Sequence, residues 1–162
     1  RNLQKPNYFN NLINKITDAR DQLSEKHGVR KPLVIKLSPD LEGHEILEIT
    51  ETLKFHKIDG VIATNTTTSR DFSEELKYSN EVGGLSGAPL FSKSTYVLEQ
   101  LNGTIGKEAV LIGVGGIMSG DDALKKFQAG AKLIQLYTGL IYKGPSLLPN
   151  ISSRILRSCH KI

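Results

Sequence analysis

Cysteine is almost missing from this chain: Cys159, near the C-terminal end, is the only one. A single cysteine excludes an internal disulfide framework and a cysteine-built zinc site, and it fits a reducing compartment. Long apolar runs are missing as well. The longest are strand-length, far short of the roughly 18 residues that suggest a membrane-spanning helix, and no signal or transit segment is visible. Metal-binding patterns are also lacking. There is no H-E-x-x-H and no carboxylate cluster, and His27, His44, His56 and His160 fall on expected helix surfaces. Neither sign of charge dominates. The formal net charge is +4, but 21 Lys and Arg are interleaved with 17 Asp and Glu, and no basic run carries aromatics between its charges. That pattern implies a solvated mixed surface and no nucleic-acid partner. The only methionine is Met118, and the chain opens "RNLQKPNYFN". A fragment with unseen upstream sequence is therefore expected.

What is present suffices for one domain: 162 residues, 38% hydrophobic and 23% charged. Four short apolar runs stand out, "LVIKL" (33–37), "GVIAT" (60–64), "VLIGV" (110–114) and "LIQLY" (133–137). They are rich in Val, Ile and Leu and bounded by Gly, Pro, Ser or Asn. They predict buried strands, because a parallel strand covered on both faces loses strict alternation. Helical spacing separates them. Leu12, Ile16, Ala19 and Leu23 precede the first run, and Ile46, Ile49 and Leu53 precede the second. Ser119 with Asp122 predicts a capped helix start. Ala123, Leu124 and Phe127 would form that helix's apolar face, and Gly130 would close it. The tail "SLLPNISSRILRSCHKI" predicts a last helix with a basic end.

The resulting order, α-β-α-β-loop-α-β-α-β-α, predicts an α/β fold with a parallel sheet and right-handed crossovers. The gap from 65 to 92 is long and rich in Ser, Thr and Gly, which suits a functional loop. Both an open doubly wound sheet and a (β/α)8 TIM barrel use such units. A barrel needs about 250 residues, so the four units here fit half of a barrel better than a complete open sheet.

Several stretches could carry chemistry. In "LIGVGGIMSGDDAL" (111–124), Gly113 and Gly115 begin a G-x-G-x-x-G pattern, but Met118 stands where its last glycine belongs. No acidic residue follows about 20 positions on, so the dinucleotide fingerprint is incomplete. A plain tight turn is one remaining reading. The other is a phosphate site, which barrels often build from the loops after their last two strands and a short extra helix. "GVGGI" ends one strand and "LYTGL" the next, so N–H groups at Gly115, Gly116, Thr138 and Gly139 could converge on one phosphate.

Lys36, inside "LVIKLSPD", needs a partner if its strand is buried. Either it pairs with an acid such as Asp40, or its ammonium faces a site where negative charge binds or develops. In "ATNTTTSRD" (63–71), Thr64, Asn65 and Thr66 stand where a strand meets its loop. Asn offers both a donor and an acceptor to a planar polar ligand, but the same residues make ordinary Asx and ST turns. In "GGLSGAPL" (83–90), Gly83, Gly84 and Gly87 suit either backbone lying against a flat ligand or a mobile loop.

In chain order, "KLSPDL", "DGVIATNTT", "GGLSGAPL", "KST", "IGVGGIMSG", "AGAKLIQLYTG" and "KGP" closely resemble dihydroorotate dehydrogenase of the quinone-dependent, membrane-associated class. The resemblance covers nearly the whole chain. It implies that residues 1–162 are the C-terminal half of one FMN-binding (β/α)8 TIM barrel domain, strands five to eight. It implies FMN-dependent oxidation of dihydroorotate to orotate in pyrimidine synthesis, with a quinone as electron acceptor. Lys36, Thr64, Gly87, Gly116, Tyr137 and Thr138 would contact FMN: Lys36 at the flavin ring, Tyr137 and Thr138 at the phosphate. Asn65 and Thr66 would hydrogen-bond the orotate ring. The family's serine base would lie just before Arg1, so no catalytic base is expected in this chain, and the isolated chain is expected to be inactive. N-terminal helices that meet quinone and membrane would also lie upstream. They would place the parent protein peripherally on an inner membrane, bacterial or mitochondrial, whereas this chain is soluble in character. Two rivals stay open: a phosphate-binding barrel isomerase or synthase without flavin, and an inert half-barrel with exposed edges at 33–37 and 133–137.

Overall fold

The computed structural model describes residues 6–70 and 81–159. The order is α1 (Pro6–His27), β1 (Val34–Leu37), α2 (Gly43–Phe55), β2 (Gly60–Ala63), a 3-10 turn (Ala88–Leu90) and α3 (Phe91–Ile105), continuing with β3 (Val110–Val114), α4 (Gly120–Gln128), β4 (Leu133–Gln135), α5 (Thr138–Lys143) and α6 (Leu147–Cys159). The four strands pair in parallel in the order β1-β2-β3-β4. Parallel neighbours cannot be joined by a tight turn, so a helix crosses over between successive strands. The strand order never reverses, as it would at the switch point of a doubly wound sheet. Progress in one direction is the winding of a barrel.

Local sequence explains the helix starts. The Ser119 hydroxyl accepts the Asp122 N–H at 3.2 Å and caps α4, while the Asp122 carboxylate accepts the Ser119 hydroxyl and the Met118 N–H. Asp121 pairs with Arg154 of α6. Both acids therefore serve the helix start, where negative charge is favoured. Glu42 and Glu45 form a capping box at the start of α2.

The main core lies between the sheet and the helices. Leu37, Val61, Ala63 and Leu111 face Ile46, Ile49 and Leu53 of α2 and Val97, Leu98, Leu101 and Ile105 of α3. A smaller cluster joins Ile117 and Ala123 to Leu147 and Ile151 of α6. Each fully buried Val, Leu or Ile side chain here contributes roughly 1.5–3 kcal/mol.

Three expectations need correction. First, the strands are not covered on both faces. Helices lie on one face, and Val34, Val110 and Leu133 of the other are 38%, 44% and 57% exposed. Lys36, Ile62, Ile112 and Leu133 are partners in register across that open face. The face is apolar at most positions, so each run reads as unbroken although only one side is packed. Second, α1 buries Phe9, Ile13 and Thr17, while Leu23 is 56% exposed. Two apolar stripes run side by side along this helix. The one ending in Thr17 can pack because the Thr17 hydroxyl is satisfied by Ile13 O at 2.9 Å. Third, the segment after β2 carries structure: Thr67 and Leu85 bridge antiparallel, and the 3-10 turn leads into α3. Residues 71–80 of it, like His160, lie outside the described residues. Leu136 and Tyr137 leave the ladder before α5 begins, so β4 is shorter than its apolar run. β1 and β4 are the sheet's edges, as anticipated. Among the described residues no helix is long and apolar enough to cross a membrane.

Candidate functional site

The loops at the C-terminal ends of the strands enclose a cavity of about 670 Å³. Lys36 reaches it from β1, and Thr64, Asn65 and Thr66 from the end of β2. Gly87 enters from the long loop, Gly116 from the turn after β3, and Tyr137 and Thr138 from the turn after β4. The fold thus brings together all eight residues singled out for cofactor and substrate. Gly84 joins them, but Gly83 does not line the cavity.

The two readings of Lys36 separate here. Its side chain stands on the open face and makes no hydrogen bond or ion pair among the described residues. Asp40 is engaged elsewhere. Its carboxylate accepts from the Thr67 hydroxyl and from the Thr68 N–H at 2.9 Å, and it pairs with Lys93 Nζ at 3.0 Å. Burial alone would raise the Asp40 pKa, but the hydrogen bonds from Thr67 and Thr68 and the Lys93 ammonium outweigh it and hold the group at about 2. Asp40 therefore ties the β1 turn to the β2 loop and to the first turn of α3.

That tie steadies the Asn-Thr pair. The Thr64 N–H donates to Val114 O at 3.1 Å and the Asn65 N–H to Leu37 O at 2.7 Å, so the strand end is anchored to both neighbours. The Ala63–Thr64 peptide is cis. Asn65 Oδ1 accepts the Thr66 N–H at 2.9 Å. The local turn does not exclude a ligand contact: it uses the side-chain carbonyl, and the Asn65 NH2 makes no hydrogen bond among the described residues while Asn65 lines the cavity. Gly84 is packed on Thr66, where an added Cβ would come within 1.9 Å of the Thr66 hydroxyl oxygen.

The opposite wall is built by the loops after β3 and β4. Gly116, at φ +77°, crosses the start of α3 so closely that a Cβ would lie 2.4 Å from Phe91 Cα. Ser86 and Thr138 share a hydrogen bond at 2.9 Å, which closes the long loop onto α5. Gly139 lies against the carbonyl of Ile117, so the two loops meet as their adjacent strands suggested.

Sequence reasoning missed one charged residue beneath this wall. Lys126 of α4 is 0% exposed. Its Nζ donates to Ser94 Oγ at 2.6 Å and lies 4.8 Å from the centre of the Phe91 ring. Burial pushes its pKa down to about 8, against the pull of Asp122 and Glu99. The available signal was its position three residues after Ala123, on the same helical face. Among the described residues no group of His, Cys, Asp and Glu could hold a metal ion.

The family model described as "Dihydroorotate dehydrogenase" matches residues 1–158. The chain belongs to the dihydroorotate dehydrogenase family. It is 46% identical to the dihydroorotate dehydrogenase (quinone) of Polaromonas naphthalenivorans over 158 residues, 98% of this chain and 45% of that protein. It is equally identical to the enzyme of the same name from Delftia acidovorans, covering 96% of this chain and 44% of that protein. The chain therefore spans less than half the length of these dihydroorotate dehydrogenases. Among solved structures, the Eimeria tenella DHODH in complex with ferulenol superposes with a TM-score of 0.90 at 29% identity. That match covers 99% of this chain and 46% of the other. Dihydroorotate dehydrogenase structures are TIM barrels, so the four-stranded sheet is a partial barrel. Its open face, bearing Ile62 and Ile112, corresponds to the side-chain-filled interior of a closed barrel.

Proposed function

We propose that this chain is the C-terminal half of an FMN-dependent dihydroorotate dehydrogenase that oxidises dihydroorotate to orotate and passes the electrons to a quinone. One observation carries the reading. A single cavity gathers a lysine that has no partner among the described residues, an Asn-Thr pair at the next strand end, and two abutting glycine-bearing loops from the following strands. A flavin-free barrel isomerase would share the loops but would have no use for Lys36 beside the Asn-Thr pair.

The residues fit FMN. The cavity, at about 670 Å³, lies within the range of cofactor sites, roughly 300–1,000 Å³. Gly87 and Gly116 line the cavity, and a Cβ at either would crowd Thr138 or Phe91, so their backbones are held there without side chains. Gly116, Tyr137 and Thr138 would hold the phosphate, and Thr64, Gly87 and Lys36 the rest of the cofactor. When bound, FMN supplies the two-electron acceptor that protein side chains lack. Lys36 brings a positive charge to the place where negative charge accumulates, and it is preorganised on a strand for that purpose. The Asn65 amide and the Thr66 hydroxyl orient the substrate ring, and orientation of this kind supplies a large share of rate. The base that removes the substrate proton is assigned to a serine N-terminal to this chain. The quinone and inner-membrane contacts are assigned to the same upstream part.

An absorbance spectrum of the intact protein tests the reading. A flavin spectrum that shifts on addition of orotate is expected. A colourless protein that cannot be reconstituted with FMN would refute it. This chain alone is expected to show no dye reduction with dihydroorotate, and measurable turnover would place the base within it.

A further inference from the structure

Among the described residues the largest fully buried side chain is that of Lys126, and its charge sits behind the loop assigned to the phosphate. Lys126 Nζ donates to Ser94 Oγ at 2.6 Å, and the Ser94 hydroxyl, with one proton to donate, lies 3.0 Å from both Gly115 O and Phe91 O, bridging the turn to the start of α3. A trans peptide holds its C=O and N–H in opposite directions. Drawing the Gly115 carbonyl toward Ser94 therefore turns the Gly116 N–H away from α3, and that N–H has no hydrogen-bond partner among the described residues. Gly116 lines the cavity. A buried ammonium is costly unless it is paired and hydrogen-bonded. Among the described residues its ammonium meets one hydroxyl and the face of Phe91, the residue on which Gly116 rests. Asp122 and Glu99 attract it from α4 and α3 without a direct contact.

We infer that Lys126 is a positioning residue for the phosphate-binding turn: through Ser94 it clamps the Gly115 carbonyl, presents the Gly116 N–H to the anion, and places a positive charge behind it. This rests on the flavin phosphate occupying that wall, as proposed above. Lys126 touches neither cofactor nor substrate, so its effect is confined to the phosphate end.

The test uses the intact enzyme stripped of flavin and titrated with FMN and with riboflavin, which differ only in the phosphate. The parent protein is expected to prefer FMN strongly. Lys126→Met, which keeps the length of the stem and removes the charge, is expected to lose roughly tenfold to a hundredfold in FMN affinity. Its riboflavin affinity should change little. Lys126→Arg should restore part of the preference. Ser94→Ala keeps the cation but breaks the link to Gly115 O, and it should lose FMN preference in the same direction. If Lys126→Met does not accumulate as folded protein, Ser94→Ala decides alone. An unchanged FMN-over-riboflavin preference in Ser94→Ala, or equal losses for both flavins in Lys126→Met, overturns the inference. A parent protein that binds riboflavin as tightly as FMN would overturn the phosphate assignment itself.

Discussion

Replacing Gly116 by Ala tests the geometry of the glycine turn most directly. Two costs are separable. Gly116 has φ +77°, and an L-residue in that region pays about 1–2 kcal/mol. The added Cβ would also fall 2.4 Å from Phe91 Cα and 2.5 Å from Phe91 N. These are backbone atoms at the start of α3, so relief requires the helix or the turn to move. Overpacking of this kind costs about 1–3 kcal/mol more. Gly28 provides the control. It has φ +68° but nothing within 4 Å of its would-be Cβ, so Gly28→Ala should pay the first cost alone. Gly116→Ala is therefore expected to destabilise by about 2–5 kcal/mol and Gly28→Ala by about 1–2 kcal/mol. Urea unfolding of the intact protein measures both, and flavin content after purification reports the turn. Gly116→Ala should also lose flavin, whereas Gly28→Ala should retain it. If the two variants are equally mild and equally loaded, the close packing of this turn against α3 is wrong.

Other outcomes follow from the same structure. Lys36→Ala should slow flavin reduction by roughly a hundredfold or more while weakening orotate binding much less; equal effects would make Lys36 a ligand anchor. The Asp40 carboxylate titrates at about 2 when folded against the ordinary 3.8, so its contribution is present above about pH 4 and lost as pH falls toward 2. Asp40→Asn should thus be less stable than the parent near pH 7 and converge with it near pH 2, and denaturation midpoints that already coincide at pH 7, or differ equally at every pH, would refute the tie. Gly103, exposed inside α3 with nothing near its would-be Cβ, should accept alanine with a gain of up to about 1 kcal/mol, read as a higher denaturation midpoint.

Much of the cavity's lining was legible because it depends on local order along the chain. The Asn65-Thr66 pair follows a strand directly, and the two glycine-bearing turns follow the next two strands, so parallel order alone brings them to one end of the sheet. The start of α4 was legible for the same reason, since the Ser119 cap and its Asp122 partner are three residues apart. The choice of stripe on α1 was not. Leu12, Ile16, Ala19 and Leu23 repeat as regularly as Phe9, Ile13 and Thr17, and only the position of α2 selects between them. Lys126 was hidden by residue type: a lysine beside Lys125 reads as surface, and its burial depends on Ser94 and Phe91, some thirty residues earlier.

The sequence by itself determined the alternation of strands and helices, the helix caps, and which loops carry Gly, Asn, Thr and Lys. Those features depend on neighbours a few residues away and on two periodicities. Only the tertiary structure decided that Asp40 pairs with Lys93 and leaves Lys36 facing the cavity, that one face of the sheet is uncovered, and that a lysine lies buried beneath the Gly115–Gly116 turn. Burial and charge pairing are settled by residues distant in the chain, and no local pattern encodes which of several possible partners the fold will bring close.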